Sequence, residues 1–280
     1  MADKPDTILV ENPWQTLREY TDARIGLGRA GISLPTRAHL EFQLAHARAR
    51  DAVHLPLGFV QLQQDLEQVL AQAGLPGPVL KLASQADGRP QYLQRPDYGR
   101  QLSSSSQEAL TQWMADSPPA AFDIAVVVAD GLSSLAVQRH AAPMLDCLLT
   151  SLADTSLKVG PVVMVEQGRV AIGDPIGETL KARMLVMLIG ERPGLSSPDS
   201  LGIYFTWKPA SGKHDANRNC ISNVRHEGLR YEEATHKLMY LLLEADRRAL
   251  SGVALKDESD NGQPSLASKS GNLLLKTPNT

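Results

Sequence analysis

Two apolar, uncharged runs constrain this chain more than any other feature. Ile124-Ala125-Val126-Val127-Val128-Ala129 leads straight into Asp130-Gly131-Leu132-Ser133-Ser134. Met184-Leu185-Val186-Met187-Leu188-Ile189 leads into Gly190-Glu191-Arg192-Pro193-Gly194. Short β-rich stretches without charge suit strands buried on both faces of a parallel sheet, where helices cover each side and no face meets water. Both runs then break into turn-forming and acidic residues. In open α/β sheets ligands bind beyond the carboxyl ends of the strands. These two loops are therefore the first candidates for a site.

The surrounding pattern supports such a sheet. Strands predicted at 122–129, 161–166, 184–189 and 201–207 alternate with helices over about 134–152, 176–182 and 231–250. Alternation of this kind implies βαβ crossovers and a mainly parallel sheet. The first third reads as helical. Leu17, Tyr20, Arg24 and Ile25 suit a short amphipathic piece after Pro13. A second helix opens at Pro35-Thr36, with Thr36 as N-cap and Leu40, Leu44, Ala47 and Ala52 as its apolar face. A third runs from Phe59 to Ala73 and stops at Gly74. Beyond it, Val79 to Leu82 and Gln91 to Leu93 flank Asp87-Gly88, a dipeptide favouring a hairpin or tight loop. Ser105-Ser106-Gln107-Glu108 carries a capping-box pattern for a helix reaching Met114. From Lys256 onward the chain is polar, with Leu273-Leu274-Leu275 as an isolated apolar patch. These readings divide it into a flexible start (1–12), a small helical N-terminal domain (13–75), an α/β domain (76–254) and a disordered polar tail (255–280).

Bulk properties exclude several classes. A net charge of -3 gives no basic field for nucleic acid or an anionic membrane. Aromatic residues at 5% leave little for base stacking. Cys147 and Cys220 form no CxxC pair, which favours a reducing cytosol over a disulfide scaffold. The N-terminus resembles no signal or transit peptide, and no apolar run approaches the roughly 20 residues that cross a bilayer. A soluble, cytoplasmic chain is expected.

Motifs offer less than they first promise. Gly26-Leu27-Gly28-Arg29-Ala30-Gly31 matches GxGxxG, but a dinucleotide fingerprint needs a strand before it and a helix starting within it. Here the preceding segment reads as helical, and Pro35 delays the next helix. A stand-alone nucleotide-dependent oxidoreductase built on Gly26, Gly28 and Gly31 is the rival enzyme reading. In the first loop, Ser133 or Ser134 and nearby N–H groups could hold a polar ligand; the same residues serve equally as an N-cap and turn. Glu191 could accept hydrogen bonds from ligand amides, or merely sit in a β-turn with Pro193. The seven histidines show no metal-ligand spacing, and no GxSxG elbow occurs. Cys220 reads first as a small buried hydrophobe. The residues by themselves describe a ligand-binding α/β domain without catalytic machinery of its own.

Several stretches, taken in order, resemble the small subunit of ethanolamine ammonia-lyase. They are Ala23 to Gly31, Arg95-Pro96-Asp97-Tyr98-Gly99-Arg100, Asp130 to Ser133, Gly168-Arg169-Val170, Gly190 to Leu195 and Cys220-Ile221-Ser222-Asn223. The resemblance spans about residues 14 to 252. It implies a Rossmann-like, mainly parallel sheet domain preceded by a small helical domain. It also implies a large TIM-barrel partner subunit carrying the substrate pocket, in an assembly with six copies of each chain. The cofactor implied is adenosylcobalamin, used to convert ethanolamine to acetaldehyde and ammonia through homolysis of the cobalt–carbon bond. Cobalamin contacts are carried over to Val170, Glu191 and Cys220, with no catalytic residue and no protein metal ligand. The DxHxxG motif that supplies an axial histidine elsewhere is missing, so the cofactor is expected base-on. Some family members carry an N-terminal extension addressing them to a bacterial microcompartment; here the recognisable sequence begins close behind Met1. A non-catalytic adaptor that keeps the fold without the cofactor is a third reading.

Overall fold

The computed structural model describes residues 12–21, 23–75, 77–117 and 122–259. The expected flexible start lies outside these residues apart from position 12. So does the expected tail beyond 259, including Leu273 to Leu275. Among the described residues no helix is long and apolar enough to cross a membrane.

Six strands of the described residues form one sheet. They are β1 (Leu80–Ala83), β2 (Ile124–Ala129), β3 (Val159–Glu166), β4 (Met184–Gly190), β5 (Leu201–Trp207) and β6 (Arg218–Val224). Their order is β1-β3-β2-β4-β5-β6. The pairs β1·β3, β3·β2 and β2·β4 are parallel, whereas β4·β5 and β5·β6 are antiparallel. The α/β class and the mostly parallel sheet follow the sequence expectation. The antiparallel extension does not. β6 lies in a polar stretch with no clear strand signal, where only Arg218, Ile221 and Val224 are buried.

Every residue of β2 and β4 is buried, as the uncharged runs require. Alternate residues serve two cores. Ile124, Val126 and Val128 pack with α2 (Phe59–Gln72), α5 (Ser134–Leu152) and α7 (Tyr231–Arg248) on one side. Ala125, Val127 and Ala129 pack with α4 (Ser104–Asp116) and α6 (Gly173–Thr179) on the other. On β5, Leu201, Ile203, Phe205 and Trp207 join the first core. The opposite side of the antiparallel edge is open: Tyr204 is half-buried, and Cys220 and Ser222 are exposed.

Local expectations fared unevenly. The helices at 59–72 and 134–152 match closely, and Gly74 takes φ +67° at its stop. No hairpin forms at Asp87-Gly88. Gly88 instead precedes α3 (Arg89–Gln94), whose first turn holds Pro90, a residue that starts a helix well and cannot donate within a sheet. Helix α1 (Thr36–His54) begins at Thr36, but Pro35 is its N-cap and no side chain caps it. Of the apolar face assigned to α1 only Ala52 is buried; Leu40 and Leu44 are 61% and 52% exposed. Helix α4 is capped by Ser103, which accepts from the Ser106 amide at 3.2 Å, not by a box at Ser105. The short helix placed near 176–182 starts earlier, at Gly173.

This burial map fixes an expected contrast. Leu148→Ala, at a fully buried site of α5, should lower unfolding free energy by about 2–5 kcal/mol in urea titrations. Leu40→Ala on α1 should change it by less than about 0.5 kcal/mol.

Candidate functional site

The loops after β2 and β4 meet at two glycines. Gly131 adopts φ +56°, and a Cβ there would collide with the Gly190 carbonyl oxygen. A Cβ on Gly190 would in turn strike the Ser133 and Asp130 carbonyls. The Leu132 amide donates to that same Gly190 oxygen at 2.9 Å. Only two residues without Cβ atoms allow the strand-end loops to cross this closely. The crossing decides the role of Ser133. Its hydroxyl caps α5 by accepting from the Ala136 amide at 3.2 Å and donates to the Pro198 carbonyl at 2.8 Å. The Ser133 hydroxyl is thereby used by the cap and by Pro198, whereas Ser134 is buried and its hydroxyl has no partner among the described residues.

Asp130 lies beneath the crossing, wholly buried. Its carboxylate accepts from the Gly168 amide at 3.0 Å and pairs with Arg89 Nη1 at 3.3 Å. Arg89 also donates to the Gly131 carbonyl at 2.8 Å and, through Nε, to the Val53 carbonyl at 2.7 Å. Burial pushes the Asp130 carboxyl up to about 6, against the opposing pull of Arg89 and the Gly168 amide. From α3 the same network reaches Tyr92, whose hydroxyl donates to the Gly168 carbonyl at 2.9 Å. The Arg169 guanidinium sits 4.3 Å from the Tyr92 ring centroid. Segments following β1, β2 and β3 are thereby tied together.

A cleft of about 440 Å³ opens beside this network, lined among others by Tyr92, Arg169, Val170, Glu191 and Tyr204. A second hollow of about 590 Å³ shares Arg169, Val170 and Tyr204 and extends to Cys220, His214 and Arg218. The structure thus brings Val170 and Glu191 onto one cleft, and Val170 and Cys220 onto the next. Glu191 is held by three donors: the hydroxyls of Ser200 and Ser222 and the Asn223 amide at 3.1 Å. A carboxylate offers about four acceptor positions, and three of them are taken here. Cys220 pairs with Tyr204 across β5 and β6. Desolvation raises its thiol, with the charge of Glu191 adding to the shift and a hydrogen bond to Tyr204 opposing it. A thiol so raised stays neutral and is no thiolate nucleophile. At the far end Asp174 and Arg218 form a buried ion pair, with Asp174 Oδ1 and Arg218 Nε lacking partners.

The sequence patterns left Tyr92, Arg169 and Tyr204 without a role. Tyr204 had a legible signal, since it alternates with Ile203 and Phe205 and must face away from their core. Tyr92 had none, because the segment around it read as a strand. The glycines of the apparent fingerprint lie elsewhere. Gly26, Gly28 and Gly31 all take positive φ in a connector between a 3-10 turn (Pro13–Tyr20) and α1, with no strand before them among the described residues. That geometry removes the dinucleotide reading. Among the described residues no group of three or more His, Cys, Asp or Glu could hold a metal ion. Both cysteines are free.

The Asp130 carboxyl ionises less readily folded than unfolded, where its ordinary value is 3.8. Its contribution to stability is therefore full below pH 4 and is lost as pH rises through about 6, by at most about 3 kcal/mol. Asp130→Asn should flatten that slope in pH-dependent unfolding. Arg89→Met, which strands the carboxylate, should cost about 3–5 kcal/mol at pH 7 and much less at pH 4.

Comparison with known proteins agrees with this layout. The family model described as ethanolamine ammonia-lyase light chain (EutC) matches residues 11–256. The chain is 59% identical over 266 residues to the ethanolamine ammonia-lyase small subunit of Azotobacter vinelandii, covering 95% of this chain and 96% of that protein. It is 57% identical to the protein of the same name from Pseudomonas fluorescens strain Pf0-1, over 89% of this chain and 88% of the other. For the Ralstonia nicotianae small subunit the identity is 55%, over 98% and 97%. The chain belongs to the ethanolamine ammonia-lyase small-subunit (light-chain) family.

Proposed function

We propose that this chain binds adenosylcobalamin together with a large TIM-barrel subunit, in an assembly with six copies of each chain, and so supports deamination of ethanolamine to acetaldehyde and ammonia. The observation that carries the reading is the fixed Glu191 carboxylate, with its one spare acceptor position, beside Val170 and Tyr204 on a cleft continuing to Cys220. A corrinoid is broad, flat and fringed with carboxamides. It suits a shallow surface with an apolar wall and a fixed acceptor better than a deep pocket. The two adjoining hollows on the open side of β5 and β6 offer such a surface, which reaches Arg218 at its far end.

When bound, the cofactor supplies homolysis of its cobalt–carbon bond; the protein supplies orientation and exclusion of water. On this reading Val170 and Tyr204 provide the apolar contact, Glu191 accepts a carboxamide N–H, and the neutral Cys220 thiol packs at the rim. The large subunit holds the substrate, which leaves no catalytic residue to this chain. Helix α1 also fits a subunit with a partner, since Leu40 and Leu44 have no cover among the described residues.

The test is to co-express the chain with large-subunit candidates from its own genome and titrate the purified complex with cobalamin by visible absorbance. A corrinoid-binding complex is expected, with Glu191→Ala weakening affinity about 10- to 100-fold. Absence of any partner or corrinoid band would overturn the reading. Unchanged affinity in Glu191→Ala and Val170→Ala would favour an adaptor. We further expect base-on binding. His214 lines the second hollow, so EPR of bound cob(II)alamin with nitrogen-labelled protein histidine is the direct check. Superhyperfine coupling to the label would refute base-on binding.

A further inference from the structure

Arg169 stands beside Val170 and lines both hollows. Its position is unusually well determined. Its amide donates to the Gly99 carbonyl at 2.7 Å, and its Nη2 donates to the Tyr92 carbonyl at 3.3 Å. Its guanidinium rests on the ring of Tyr92, a side chain with no exposed surface. Gly99 leaves the space for this stack, because a Cβ there would come within 2.8 Å of both Arg169 Cγ and Tyr92 Cε2.

The restraints leave donors unused. Nε is buried without a partner, and Nη1 makes no hydrogen bond to a described residue. Nε is closed off by packing, so the donor left for an acceptor at the cleft is Nη1, on a guanidinium already held in place by the Tyr92 ring and carbonyl. A stacked, pre-ordered arginine also loses little further freedom when it binds.

We propose that Arg169 is a contact residue for the corrinoid, donating to an oxygen at the ligand's periphery. The inference rests on the corrinoid reading of this cleft. Two sources present that acceptor: a ring carboxamide, or the phosphodiester of the nucleotide tail.

The experiment titrates the assembled complex with hydroxocobalamin and with dicyanocobinamide, which lacks the nucleotide tail, following visible absorbance. Wild type, Arg169→Gln, Arg169→Lys and Glu191→Ala are compared, with Tm recorded for each. Arg169→Gln should weaken hydroxocobalamin binding about tenfold or more. Arg169→Lys should restore little, because an ammonium lacks the planar fork. Equal loss with both corrinoids assigns the ring carboxamide; loss with hydroxocobalamin alone assigns the phosphate. If Arg169→Gln binds both within twofold of wild type while Glu191→Ala is weakened, Arg169 is packing only and the inference fails while the corrinoid reading stands. If the wild-type complex binds no corrinoid, both fall. Should Arg169→Gln not assemble, Arg169→Met decides by the same twofold criterion.

Discussion

Asp130 ends the most buried strand of the sheet, with no solvent to hold its charge. What surrounds it is the means of holding that charge. Arg89 comes from the helix after β1, the Gly168 amide from the turn after β3, and the Gly131 carbonyl that shares Arg89 from the turn after β2. A buried carboxylate satisfied by two separate segments, with its arginine shared by the carbonyl of a third, stabilises only one mutual placement of the three. Tyr92, Arg169 and Val170 follow from that placement, because Tyr92 shares a helix with Arg89 and the other two follow Gly168. One pole of the cleft is set by this pair.

The other pole comes from the change in strand direction. The parallel strands β1 to β4 need helices on both sides, so their side chains are consumed by packing. Past β4 the sheet turns antiparallel and asks for cover on one side only. Helix α7 supplies it, and on the other side Tyr204 stays half-buried and Cys220 and Ser222 stay exposed. A site on this molecule therefore spans two kinds of surface, strand-end loops on the parallel half and an open face on the antiparallel half.

Much of this was legible in the residues. The uncharged runs 124–129 and 184–189 could pack only one way, and the helix at 134–152 declared its face through repeated Leu and Ala. The positions of Val170 and Glu191 just beyond β3 and β4 followed from where such strands must end. Less could be read where two structures share a pattern. Asp87-Gly88 turns a chain equally well into a hairpin or a helix, and Pro90 decided it. Strand β6 hid because an edge with one open face carries few apolar residues. Arg169 hid for another reason: its meaning lies in Tyr92 and Gly99, some seventy residues earlier, and no local period records such a contact.

The crossing at Gly131 and Gly190 bears on how the history of such chains should be interpreted. Each glycine is excluded from carrying a side chain by the other loop's main chain, and main chain cannot be mutated away. A change at one position therefore has no compensating change at the other. Both glycines would persist through descent whatever the cleft came to bind, including in a lineage that had lost its ligand. Invariance there would certify the architecture and say nothing of the chemistry; the informative positions are those free to vary without disturbing the backbone, such as Glu191 and Arg169.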